Sequence, residues 1–223
     1  MFLTDIFYEK KVRCPMCETD YKTKKVLSKA IKISTVDSDF YTTYEGPNPN
    51  HYLINVCPGC GYSFLDKTEP KLTKRRKHLY QEEVASRWGG HDLTGGRSVQ
   101  EALVAAKLAI FCAQYVEEPS RTVGGLCLQA AWLYRETGHR AEEERFLREA
   151  IEFYVHAYET DSSIEDSGRL PFLIGEMYRR LGERNEAVRY YNRVVADKNA
   201  SPKFVRKARE QWALSAEEHR RSG

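Results

Sequence analysis

Four cysteines in two matching knuckles, Cys14-Pro15-Met16-Cys17 and Cys57-Pro58-Gly59-Cys60, carry the strongest chemistry in this chain. Two residues between cysteines let both sulfurs of one knuckle bind a single ion, and a second knuckle completes a tetrahedron. Each pair opens with Cys-Pro, and the second runs on into Gly61-Tyr62. Proline stiffens such a turn, and glycine lets backbone amides point at sulfur without a clash. A redox pair needs one CxxC rather than two. The spacing therefore predicts one structural zinc ion on Cys14, Cys17, Cys57 and Cys60, closed to water and without chemistry of its own.

The rest of the candidate chemistry is weaker. Asp37-x-Asp39 lies between the knuckles, and on a strand this alternation would aim both carboxylates at one face, as a hard metal or acid–base work needs. With Tyr44, Asn48 and Tyr52 it forms a second candidate site. No histidine or third acid follows at ligand spacing, so the plainer reading is that both aspartates cap turns. His51 reads as a residue near the zinc region rather than a fifth ligand. Cys112 and Cys127 read as small buried hydrophobes. No Ser-His-Asp order, phosphate loop or dinucleotide fingerprint occurs, and Gly89-Gly90 and Gly95-Gly96 open no Lys-Ser/Thr loop. An enzyme, with a site near Asp37 and Asp39, is the least supported class, and the chain is read as a non-enzyme.

Composition agrees with a globular protein: 223 residues, 30% charged, 41% hydrophobic, net charge +3. The start is too short and acidic for a signal peptide, and no apolar run approaches the roughly 18 residues of a membrane span. Zinc thiolates must stay reduced, which points to the cytoplasm. The one dense basic run, Lys74-Arg75-Arg76-Lys77, reads as a solvated helix face. Lys22, Lys24, Lys25, Lys29 and Lys32 near Tyr41 and Tyr44 keep nucleic-acid binding as the main alternative, provided that one sheet carries them.

Elements that would position these groups divide three ways. Residues 1–65 form a small β-rich zinc-ribbon-like domain, with strand from Val26 to Tyr44 and a second strand, Tyr52 to Val56, sharing one face through Tyr52, Ile54 and Val56. Residues 66–96 are a helical connection, with helix from Leu72 to Trp88 and then a Gly-rich linker. Residues 97–223 are all-α, opened by the capping box Ser98-x-x-Glu101. The fold class is thus α+β. In the helical part Ala131, Tyr134, Gly138 and Ala150 recur as Gly175, Tyr178, Gly182 and Val194, a tetratricopeptide rhythm of small residue, aromatic and turn glycine. Ala187 and Tyr191 continue the second copy, whereas the first has Glu143 at the Ala187 position. The excess spacing is placed in the polar stretch 161–168. Ser201-Pro202 starts a last helix that closes the repeat array.

Counting from the small residues puts Leu128, Trp132, Arg135, Arg169, Phe172, Glu176 and Arg179 along a helical-repeat groove. Aromatic anchors with arginines suit a peptide or protein partner carrying acidic groups. The expected role is a protein-interaction adaptor. With both knuckles and the repeats together, the chain resembles the bacterial family called domain of unknown function 2225. The residues carrying this resemblance run from Val12-Arg13-Cys14-Pro15-Met16-Cys17 through Asp37-Ser38-Asp39-Phe40, Asn48-Pro49 and Val56-Cys57-Pro58-Gly59-Cys60-Gly61-Tyr62. They continue in Ala131-Trp132-Leu133-Tyr134-Arg135 and Gly175-Glu176-Met177-Tyr178-Arg179-Arg180-Leu181-Gly182. The resemblance supports the architecture and implies no catalytic residues.

Overall fold

The computed structural model describes residues 6–66, 70, 72–160 and 168–222, with side chains to 214. The chain divides into two compact units, Met1–Phe146 and Leu147–Gly223. Of the polar stretch 161–168 that takes up the excess repeat spacing, residues 161–167 lie outside the described residues.

In the first unit both knuckles are hairpin turns. Strands β1 (Phe7–Arg13) and β2 (Asp20–Val26) pair antiparallel around the first. The expected strand from Val26 to Tyr44 is instead a short 3₁₀ turn followed by a separate hairpin, β3 (Ile33–Val36) with β4 (Thr42–Tyr44). Phe40, at φ 70°, reverses the chain between them, and the Asp39 carboxylate accepts the Tyr41 amide at 3.2 Å. Strands β5 (Ile54–Val56) and β6 (Ser63–Leu65) flank the second knuckle. Tyr52 ends a 3₁₀ turn rather than starting β5, yet Tyr52, Ile54 and Val56 are all buried. Among the described residues each sheet has two strands. Lys22, Lys24 and Lys25 therefore share no sheet with Tyr41 and Tyr44, and Lys25 is buried.

Helix α1 (Lys74–Glu83) is capped by Thr73, whose side chain accepts the Arg76 amide, and buries Tyr80. Helix α2 (Val99–Tyr115) begins with the expected capping box: Ser98 Oγ accepts the Glu101 amide, and Glu101 accepts the Ser98 amide at 2.7 Å. Its inner face is alanine-rich (Ala102, Ala105, Ala106, Ala109, Ala113), which lets it approach β5 and β6 closely. At this contact the Ser63 amide donates to Cys112 Sγ at 3.3 Å, and Tyr80 Oη lies 3.5 Å from the same sulfur. The linker is anchored as well. Thr94 O accepts the Lys24 amide at 2.8 Å, and Arg97 is buried against the backbone of Ile54.

A boundary near 94–96 is thus corrected. Tyr80, Cys112 and Val116 belong to one buried cluster with Cys14, Met16, Cys57, Cys60 and Tyr62. Helices α1 and α2 thus supply apolar cover to the two knuckles. Helices α3 (Ser120–Glu136), which packs on α2, and α4 (Arg140–Thr160) follow.

The second unit contains α5 (Arg169–Arg180), α6 (Arg184–Ala196) and α7 (Pro202–Ser222). A Cβ on Gly175 would stand 2.7 Å from the Tyr191 ring and 3.3 Å from Ala187 O, so only glycine permits this α5–α6 approach. The turn after α5 is a Schellman motif: Glu183 N donates to Tyr178 O and Gly182 N to Arg179 O, with Gly182 at φ 78°. The same two bonds recur after α3, from His139 to Tyr134 and from Gly138 to Arg135. Among the described residues no helix is long and apolar enough to cross a membrane.

Candidate metal centre

The two knuckles are geometric copies. Cys14 O accepts the Glu18 amide and Cys57 O the Gly61 amide, each at 2.9 Å. Cys14 N donates to Thr19 O and Cys57 N to Tyr62 O, each at 3.0 Å. Glu18 and Gly61, at φ 63° and 72°, occupy the same left-handed position. A non-glycine residue there carries strain on the order of 1 kcal/mol. Gly61 has a second constraint, because an added Cβ would fall 2.5 Å from the Trp88 ring. Trp88 also donates its indole N–H to Pro58 O at 3.0 Å. From sequence Trp88 reads as the edge of a linker, yet it covers the second knuckle.

The sulfurs of Cys14, Cys17, Cys57 and Cys60 all lie within 4.8 Å of one another. Cys14 and Cys60 are 3.7 Å apart, and Cys17 and Cys57 are 3.6 Å apart. A regular tetrahedron of metal–sulfur bonds about 2.3 Å long has sulfur–sulfur edges of about 3.8 Å. Disulfide bonding, which needs about 2.05 Å, is not what gathers them; none of the six cysteines is in a disulfide. Backbone amides of Met16 and Cys17 point at the Cys14 sulfur, those of Gly59 and Cys60 at Cys57, and that of Tyr62 at Cys60. Crowding splits the thiols. The contact with Cys57 raises Cys14 to about 12, Cys14 and Cys57 push Cys60 up further, and hydrogen bonds from both neighbours lower Cys57 to about 2. Several thiolates so close together repel one another, and a bound cation removes that conflict. The four residues can hold one metal ion.

Asp37 and Asp39 do not form a strand-borne carboxylate pair. β3 ends at Val36, so both lie in the turn that follows. Asp39 is claimed by Arg135 at 2.6 Å and faces the Trp132 indole N–H at 3.4 Å; Asp37 reaches the same guanidinium at 3.2 Å. Arg135 Nε donates to Glu143 at 2.7 Å, and the guanidinium stacks over Tyr41 at 4.7 Å. Glu143, the residue that breaks the repeat pattern, is thus a buried counter-ion. Asn48 caps its own turn and donates to Glu136 at 2.8 Å, while His51 Nε2 lies 3.0 Å from Glu136 Oε1. Tyr44 is half-buried in β4, and Tyr52 Oη accepts the Arg97 amide. These contacts clasp the insertion onto α3.

The seven groove residues divide between the two units. In the first, Leu128 is buried, Trp132 is half-buried against Tyr41, and Arg135 is committed to its carboxylates. In the second, Phe172 is fully buried beside Tyr191 and Phe204, and Glu176, also fully buried, accepts Tyr191 Oη at 2.6 Å and pairs with Arg179. Leu128, Phe172 and Glu176 are therefore interior residues, a correction to the groove. Counting offsets identifies one helix face, but α5 packs against both α6 and α7 and is buried nearly all round. Arg169 is exposed and Arg179 half-buried.

Four clustered cysteines that can hold a metal ion, placed at two hairpin turns and followed by helices, define an α+β protein. A family model described as an uncharacterised protein conserved in bacteria, DUF2225, matches residues 7–215, and the chain belongs to that family. No curated protein and no solved structure matches it.

Proposed function

We propose that this protein is a zinc-stabilised cytoplasmic adaptor whose helical part, built of tetratricopeptide-like hairpins, binds an acidic protein segment. Zinc suits the centre because four thiolates at these distances match its tetrahedral preference and leave no position open for water. The ion then holds the fold, and the reading assigns no catalytic residue.

The observation that carries the partner is the surface of α5. Its residues from Leu170 to Met177 are buried, and those that reach the surface are Arg169, Tyr178, Arg179 and Arg180. Arginine and tyrosine are the residues that most often anchor partners, and a cationic helix face favours acidic segments. Affinity capture with the intact protein, with and without nuclease, tests the reading. Partners that survive nuclease and disappear with Arg169→Glu plus Arg180→Glu support it. Loss of all capture on nuclease treatment favours nucleic acid on the solvent face of β1 and β2, where Lys11, Arg13, Lys22 and Lys24 are exposed.

A further inference from the structure

Beside the metal module lies a cavity of about 430 Å³ lined by Tyr8, Val26, Pro49, Tyr52, Leu53 and Leu65, with Lys25 and Asp66 as its charged residues. Small-molecule sites usually measure roughly 300–1,000 Å³ and combine apolar walls with a few placed polar groups. Lys25 has a side chain only 9% exposed, which is unusual for an ammonium without a dedicated counter-ion. Its ammonium donates to Tyr52 O at 2.5 Å. Asp66 Oδ1 stands 3.7 Å away, while Asp66 itself is engaged by Lys10 at 2.7 Å and by Asn55 at 2.9 Å. An ammonium has three donors, so Lys25 keeps capacity for a further acceptor.

Among the described residues the neighbourhood is also short of negative charge. Lys10 and Lys25 share the single carboxylate of Asp66. Arg97, whose charge acts on Lys25, is buried, and among the described residues its guanidinium bonds to carbonyls of His51, Ile54 and Leu93, with no partner at Nη2. Buried cations are normally paired. Here an apolar chamber meets a surplus of them.

We propose that this cavity binds a small amphiphilic acid, its apolar body against Tyr8, Val26, Leu53 and Leu65 and its anionic head on Lys25. The site is independent of the adaptor reading, since it uses no residue of α5.

Calorimetric titration of the full-length, metal-loaded protein with octanoate, 1-octanol and octylamine tests it, with amide chemical-shift mapping to locate binding. Octanoate is expected to bind at least tenfold more tightly than either congener, with shifts at Tyr8, Val26, Leu53 and Leu65. Lys25→Met should erase the preference for the acid while leaving octanol binding in place. Leu53→Trp, a change at a 38%-exposed wall residue, should fill the cavity and weaken all three without unfolding the chain. Absence of octanoate binding at millimolar concentration, equal affinity for the amine, wild-type affinity in Lys25→Met, or shifts confined to other residues would each overturn the proposal.

Discussion

Arg135 grips Asp39 with two parallel contacts, Nη2 to Oδ2 at 2.6 Å and Nη1 to Oδ1 at 3.2 Å, across 96 residues of sequence. The same guanidinium holds Glu143, and the three side chains are all less than 9% exposed. One arginine thereby fastens the insertion between the knuckles to the C-terminal turn of α3.

Removing that cation should be costly. Arg135→Ala takes the guanidinium away from the buried carboxylates of Asp39 and Glu143, and breaking a buried pair from one side typically costs about 3–5 kcal/mol. Arg135→Lys should recover only part of this, because an ammonium cannot bind a carboxylate through two parallel donors. Urea unfolding of both variants provides the check. A midpoint for Arg135→Ala equal to wild type would show that the pair is not holding the structure.

Metal analysis should find one zinc ion per chain, lost in Cys57→Ser. Structural zinc contributes on the order of 10 kcal/mol in small metal domains. Because Cys112 and Tyr80 are packed against the knuckle, its loss should spread into α1 and α2. Hydrogen exchange after chelation is expected to deprotect Val99–Tyr115 together with the hairpins. For the same reason a fragment starting near Arg97 should bind hydrophobic dye and resist cooperative folding, whereas intact helical circular dichroism would restore the boundary near 94–96.

Gly61→Ala combines a left-handed backbone with a methyl group 2.5 Å from the Trp88 ring. Overpacking and strain together predict a loss of about 2–4 kcal/mol and faster zinc release to a chelator. In the Trp88→Ala background the same change should cost less, since the steric part is gone and the dihedral part stays. Equal costs in the two backgrounds would separate Trp88 from Gly61.

Lys25 offers a test in pH. Burial lowers its ammonium to about 8, with repulsion from Arg97 and Lys10 working against attraction to Asp66. Unfolded lysine titrates near 10.4. Between these values the unfolded chain holds a proton that the folded chain has released, so the stability contribution rises with pH across about 8 to 10.4. Below pH 8 both states are protonated, and the full cost of burying the charge is present. Lys25→Met should therefore gain stability relative to wild type at pH 7 and lose that advantage by about pH 10.5. Parallel unfolding midpoints measure this, and a gap independent of pH would show that Lys25 is not burdened by burial.

Local chemistry in the sequence determined the knuckles, the capping box of α2 and the turn glycines at 138 and 182. Each depends on residues within a few positions of one another, joined by short-range hydrogen bonds or by ligation of one ion. The tertiary structure alone decided that Trp88 covers Gly61, that Asp39 belongs to Arg135 rather than to a metal, and that α2 shares the core of the metal module. Nothing near Asp39 in sequence distinguishes a turn-capping carboxylate from one matched to an arginine far along the chain. The same limit applied to Lys25 and Phe172. A lysine at strand alternation and a phenylalanine at helical spacing have the same local pattern whether solvent or protein lies over them, and only the packing of neighbouring elements settles which.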